Sequence, residues 1–187
     1  MKFSQVVRVP KERVAVVIGR NGETKKKLES DFGVKVSVDS DSGDVLIYTT
    51  DEGNEMGSDP FKAVEMVEAI GRGFSPARCE RLKKPEVYMN VIDIREYVGK
   101  SRNSLERVRG RIIGINGKAR RIMEELTGAY ISVYGHTVSS IGTKEQNDLL
   151  SDAVKELASG SEHKVVYSEL QKARSQAKLD RLKLWED

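Results

Sequence analysis

One cysteine, Cys79, and two histidines, His136 and His163, stand in a chain of 187 residues. A disulfide framework needs cysteines in pairs, and a structural zinc site needs four thiolate or imidazole ligands, so neither is available. No metal and no cofactor is expected, and the compartment is expected to be reducing. No apolar run approaches the roughly 18 residues of a membrane span. The opening Met1-Lys2-Phe3-Ser4-Gln5 has no apolar core of a signal peptide. The expectation is a soluble, cytoplasmic protein with no membrane partner. Charge is nearly balanced, with 32 Lys and Arg against 29 Asp and Glu. Global charge therefore does not decide for a polyanionic partner, and the placement of the charges has to.

What the chain does have is a repeat. A shift of 95 positions lays Val17-Ile18-Gly19-Arg20-Asn21-Gly22 over Ile112-Ile113-Gly114-Ile115-Asn116-Gly117. Beyond the glycines Leu28 falls on Met123, Glu29 on Glu124, Gly33 on Gly128, Val36 on Ile131, Ser37 on Ser132 and Val38 on Val133. Two such segments in register argue for a duplicated domain.

Each copy reads as strand, helix, helix, strand, strand, helix. In the first, Val7 and Val9 alternate up to Pro10, a strand that ends where proline removes a ladder donor. Residues 11–18 and 23–32 read as helices on either side of the glycine loop, the second stopped by Gly33. Val34, Val36 and Val38 alternate as a strand, residues 39–44 form a turn, and residues 45–49 return beside it. After a polar loop, 51–58, a helix over 59–70 has Asp59 as N-cap and Pro60 in its first turn. In the second copy residues 87–94 form the first strand, and Leu105, Val108 and Ile112 mark a helix with an extra segment ahead of it. A helix over 117–126 follows, then strands around Ala129, Ile131 and Val133 and over 138–141, with Gly135 and His136 at their turn. Thr143 caps a helix over 144–157. The pattern predicts an α+β chain: a first domain over 1–75, a basic linker over 76–85, a second domain over 86–160, and a helical extension over 161–187. Each domain is a three-stranded sheet with helices on one face. The extension carries Val166, Leu170, Ala173 and Ala177 on one narrow stripe, with Leu184 and Trp185 near its end. It either docks on the domains or serves a partner.

The glycine pairs carry the chemistry. Unpaired N–H groups at a helix start, reached through a turn with no Cβ, form a site for phosphate. Gly19, Gly22, Gly114 and Gly117 share that role, with Arg20, Asn21, Ile115 and Asn116 between them. Bases would lie over Val17, Ile18, Thr24 and Val36 in the first copy, and over Ile113, Lys118, Arg121 and Ile131 in the second. Lys25 and Lys26 add charge to the first loop, offset by Glu23, Glu29 and Asp31. The second is stronger: Arg107, Arg109, Arg111, Lys118, Arg120 and Arg121 lie in 107–121 without an acidic residue.

The apolar-apolar-Gly-x-x-Gly segments resemble the type I KH domain, whose loop clamps about four nucleotides of single-stranded nucleic acid. Nearly the whole chain, including Arg111-Ile112-Ile113-Gly114 and the stretch Leu182-Lys183-Leu184-Trp185, is similar to the archaeal tandem KH proteins that assist small-subunit ribosomal RNA processing. The resemblance implies a non-catalytic, single-stranded RNA-binding factor of small-subunit assembly. It would bind near the 3' end of small-subunit ribosomal RNA, with the pre-rRNA endonuclease as partner. Because that RNA end meets messenger RNA, a translation initiation factor is a further expected partner. The second loop lacks the basic residue found here as Arg20, and Lys118, Arg120 and Arg121 are expected to replace it.

Two other readings stay open: a general or messenger RNA-binding protein, and an interaction scaffold using the extension. A nucleotide-binding enzyme does not fit, because Ile112 and Ala119 stand where a P-loop needs glycine and Ser/Thr. Asp39, Asp41 and Asp44 sit among Ser40, Ser42 and Gly43, which reads as a solvated hairpin and not as a metal site.

Overall fold

In the computed structural model residues 3–50 and 57–183 are described; most of the 51–58 loop, and the expectations for Leu184 and Trp185, lie outside them. The chain divides into two units, residues 1–89 and 90–187.

The first unit runs β1 (Ser4–Arg8), α1 (Lys11–Ile18), α2 (Glu23–Phe32), β2 (Lys35–Val38), β3 (Asp44–Tyr48) and α3 (Pro60–Gly71). This is the element order read from the sequence. The antiparallel sheet has the order β1-β3-β2, with Val7 opposite Val45 and Val36 opposite Ile47. Those four side chains are buried together with Val14, Val17, Leu28, Phe32, Val64, Val67 and Ile70. The period-2 and period-3.6 apolar positions thus meet in one core. The Asp59 carboxylate accepts the Lys62 N–H at 3.1 Å and caps α3, and Gly33 ends α2 at φ 61°.

The stretch expected as a linker is folded into this unit. Ser75 caps a short helix, α4 (Pro76–Cys79), and a 3-10 turn follows over Glu80–Lys83. Phe74, Cys79 and Leu82 are buried. Ion pairs Lys27–Glu80 (2.9 Å) and Lys83–Asp31 (2.6 Å) tie the segment to α2. Burial pushes the Cys79 thiol up to about 12, so it stays protonated and unreactive.

The second unit contains β4 (Tyr88–Asp93, its first two residues ahead of the division), α5 (Arg95–Val98), α6 (Arg102–Ile113), α7 (Lys118–Thr127), β5 (Tyr130–Tyr134), β6 (Thr137–Gly142), α8 (Lys144–Ala158) and α9 (His163–Lys183). The extra segment before the loop is α5, and α6 is four residues longer than α1, 12 against 8. The sheet order β4-β6-β5 repeats the first. A reciprocal capping box joins Thr143 and Gln146 at the start of α8. α9 buries Val166 and Leu170 in the second core. From residue 174 to 183 it is exposed throughout. Among the described residues the extension is therefore buried only in its first turns, and Arg174 donates to the Glu125 carbonyl of α7 at 3.3 Å.

One polar pair is sealed in this core. Asn147 is 1% exposed; its carboxamide oxygen accepts the Ser140 hydroxyl at 2.8 Å, and its amide donates to the Gly142 carbonyl at 3.1 Å. Asn147→Ala leaves both partners unpaired away from water, a cost of about 1–3 kcal/mol. Urea unfolding of the variant is expected to show that loss; an unchanged midpoint would show that the pair contributes nothing.

Candidate nucleic-acid interface

The two glycine loops have the same backbone. Residues Gly19, Asn21 and Gly22 have φ of 76°, 53° and 75°; Gly114, Asn116 and Gly117 have 73°, 54° and 74°. Asn21 and Asn116 are the only non-glycine residues with positive φ among the described residues. Asparagine tolerates that region better than other side chains, which is the signal the sequence offered for a left-handed turn at this point.

The four glycines, read from the sequence as sharing one role, have two. A Cβ on Gly19 would lie 2.3 Å from the Thr24 hydroxyl oxygen and 2.7 Å from its backbone nitrogen; one on Gly114 would lie 2.7 Å from the Ala119 nitrogen. The first glycine of each loop therefore answers to the chain's own next helix. On Gly22 and Gly117 the nearest atoms would be at 4.0 and 3.9 Å, both in flexible side chains. These second glycines leave open backbone for a ligand. Behind them no side chain caps α2 or α7; the turn itself takes up the first amides, Gly22 and Gly117 donating to the Gly19 and Gly114 carbonyls at 3.2 Å and Glu23 and Lys118 to those of Arg20 and Ile115, and the positive end of each helix dipole stays at the loop. The residue that follows is Glu23 in the first unit and Lys118 in the second. A carboxylate there competes with phosphate for the helix start, and an ammonium attracts it.

The apolar floor differs from expectation. Val17, Val36 and Ile131 are 0%, 3% and 1% exposed. They belong to the cores, because their helix and strand faces point at the packed layer. Ile18, Thr24 and Ile113 remain half-buried beside the loops, and Ile115 is 86% exposed at the tip. Glu29 and Glu124, paired by the repeat, do the same work in each unit: each accepts a strand N–H, from Val36 at 2.9 Å and from Ile131 at 2.8 Å, locking the second helix to the neighbouring strand.

The six basic residues of 107–121 are not equally available. Arg107, Lys118 and Arg121 are exposed, and Arg121 donates to the Asn116 carbonyl at 3.2 Å across the loop. The Arg111 guanidinium donates to the Ser161 carbonyl. Arg109 and Arg120 bury their Nε atoms without a hydrogen-bond partner. In the first unit Arg20 and Lys26 are exposed and Lys25 is half-buried. A residue that sequence reading placed only as a helix start, His163, reaches the Arg111 carbonyl at 2.7 Å through Nε2. A carbonyl accepts, so Nε2 carries the proton, and the ring caps an otherwise open carbonyl at the end of α6.

Among the described residues no three His, Cys, Asp or Glu side chains converge as a metal site. Asp39 accepts the Asp41 and Ser42 N–H groups, and Asp44 pairs with Arg8 at 2.9 Å, which makes that acidic cluster a hairpin turn.

A family model described as a KH domain matches residues 4–56, and one described as a eukaryotic type KH-domain (KH-domain type I) matches residues 88–175. A KH domain-containing protein of Methanocaldococcus jannaschii is 42% identical, covering 98% of this chain and 80% of that one. Among solved structures, a chain of the a/eIF2alpha–aDim2p–rRNA complex from Pyrococcus horikoshii superposes with a TM-score of 0.86 at 40% identity, covering 94% of this chain and 96% of that one. Dim2p of the same organism gives 0.83 at 42%, covering 91% and 99%. The chain belongs to the Dim2p family of tandem KH-domain proteins. An Aeropyrum pernix protein described as of unknown function shares the fold at a TM-score of 0.89 and 36% identity, covering 100% and 98%.

Within the second KH domain one further glycine has no structural cause. Gly110 lies inside α6, and a Cβ there would meet nothing within 4 Å. Gly110→Ala is expected to stabilise the protein by about 0.5–1 kcal/mol. Gly117→Ala is expected to cost about 1–2 kcal/mol through its left-handed φ, and Gly114→Ala more, because a backbone contact must also give. Thermal unfolding of the three variants checks the order; an equal cost at 114 and 117 would contradict the division of roles.

Proposed function

We propose that the protein is a non-catalytic, single-stranded RNA-binding factor that acts near the 3' end of small-subunit ribosomal RNA during assembly and processing of the small subunit, and that its second KH domain makes the firmer contact. The observation that carries this reading is the Gly114–Gly117 turn. It presents open backbone at Gly117, an uncapped helix start behind it, and Lys118 where the first domain has Glu23. Phosphates passing the loop would meet open backbone, the positive end of a helix dipole and an ammonium, while exposed Arg107 and half-buried Ile113 flank the path. The first domain has the same backbone but places Glu23 behind its loop and Asp39 and Asp41 at its hairpin turn, so it would hold RNA less tightly.

Membership of the Dim2p family supports the choice of RNA, since an aDim2p is found in a complex with rRNA. The same complex contains a/eIF2alpha, which supports an initiation factor of that kind as partner. The endonuclease that trims the precursor is proposed as a second partner, and the cytoplasm as the place of action.

Ile115 and Asn116 are exposed, and aspartate accepts the left-handed conformation, so Ile115→Asp with Asn116→Asp adds two charges to the loop while keeping its backbone. Fluorescence anisotropy with an RNA of the 3' end sequence is expected to show at least a ~10-fold loss, the scale of one lost charged contact. Arg20→Asp with Asn21→Asp is expected to cost less. Unchanged affinity in the first double variant, with its unfolding temperature retained, would sink the proposal.

A further inference from the structure

Beside the second loop, on the side of α7 away from β5, lies an open cleft of about 500 Å³ between α6, α7 and α9. We propose that this cleft is a second nucleotide subsite, which receives the base of the nucleotide adjoining those held at Gly114–Gly117. The inference rests on the RNA reading above and extends it to a surface that the repeat does not duplicate.

Four observations converge on it. Gly110 lines the cleft, and neither its φ nor a neighbouring atom calls for glycine there. A glycine inside a helix is unfavourable relative to alanine, and what its missing side chain leaves is space. The first domain has Ala15 at the matching position. Next, the walls suit a flat, apolar group. Ile115 and Ile122 stand on one side, and the tilted rings of His163 and Tyr167, 5.9 Å apart, stand on the other. The His163 ring is held in place by its bond to the Arg111 carbonyl. Aromatic faces of this kind stack on any base. The charge is also of one sign: Arg107, Arg111 and Lys118 line the cleft and no carboxylate does. Finally, Gly114 and Ile115 are part of its wall, so a strand passing the loop enters the cleft with its next nucleotide and needs no detour. The continuity with the loop favours an RNA strand over an acidic peptide segment as occupant.

The test is anisotropy with RNAs of about four nucleotides, the reach of one KH loop, and of about eight. Gly110→Leu puts a good helix former into the cleft, so the fold is expected to be retained and the subsite filled. It should bind the short RNA as the unaltered protein does and lose roughly 5- to 150-fold on the long one, the worth of one stacked base. Tyr167→Ala should behave alike and Tyr167→Phe should keep full affinity. Independently of any variant, an abasic nucleotide scanned along the long RNA should lower the unaltered protein's affinity at a position beyond the four, and should have no further effect on Gly110→Leu. Equal binding of long RNA by Gly110→Leu and the unaltered protein, while Ile115→Asp with Asn116→Asp abolishes binding, would overturn the subsite and leave the loop reading standing. Binding of the long RNA that survives both sets of changes would overturn the loop reading as well. Loss of an acidic peptide by Gly110→Leu with RNA untouched would assign the cleft to a protein partner and overturn the proposal.

Discussion

The contact between the first glycine of each loop and the start of the following helix is the constraint on which the rest depends. Gly19 lies against Thr24 and Gly114 against Ala119 so closely that a Cβ would overlap backbone atoms. That approach turns the chain sharply between two helices and is possible only with a left-handed glycine, a left-handed asparagine and a second left-handed glycine within four residues. The turn sets the start of the next helix at the loop and leaves its apolar side in the core, where Leu28 or Met123 is buried. Packing and function are thus set by the same few dihedral angles.

With the backbone held constant, the two domains differ in what surrounds it. Glu23 follows the first loop and that domain's hairpin turn is rich in aspartate, whereas Lys118 follows the second and a short Gly135-His136 turn replaces the acidic one. The second domain also gains α9, whose first turns pack by Val166 and Leu170 and bring His163 to the end of α6. Gly110 gives up helix stability in that same place. A stability cost without a packing benefit, next to an uncapped helix start, is the pattern of a surface kept open for a ligand.

Much of the fold was legible because the repeat, the alternating valines of β2 and the Asp59-Pro60 and Thr143 caps are local signals that tertiary packing reinforces. The segment 76–85 was read as a linker since Gly71, Gly73, Pro76 and Pro85 punctuate the stretch and Arg78, Arg81, Lys83 and Lys84 make it basic. Yet Phe74, Cys79 and Leu82 are enough to bury a four-residue helix once α2 supplies Glu80 and Lys83 with partners. The loops were found, but Val17, Val36 and Ile131 were placed on their surface. A sequence gives a helix's apolar stripe without saying how much of it the sheet covers. The count of six basic residues in 107–121 likewise says nothing of pairing: Arg111 and Arg121 meet backbone carbonyls. His163 carried no sequence signal, for its partner lies 52 residues away.

The most direct measurement of the central claim is an NMR titration of the full chain with single-stranded RNA, following the backbone amides at the starts of α2 and α7. The account predicts that the amides of Gly117, Lys118 and Ala119 shift and saturate at lower RNA concentration than those of Gly22, Glu23 and Thr24. Saturation of the first-domain amides ahead of the second, or bound RNA that leaves both helix starts unmoved, would contradict it.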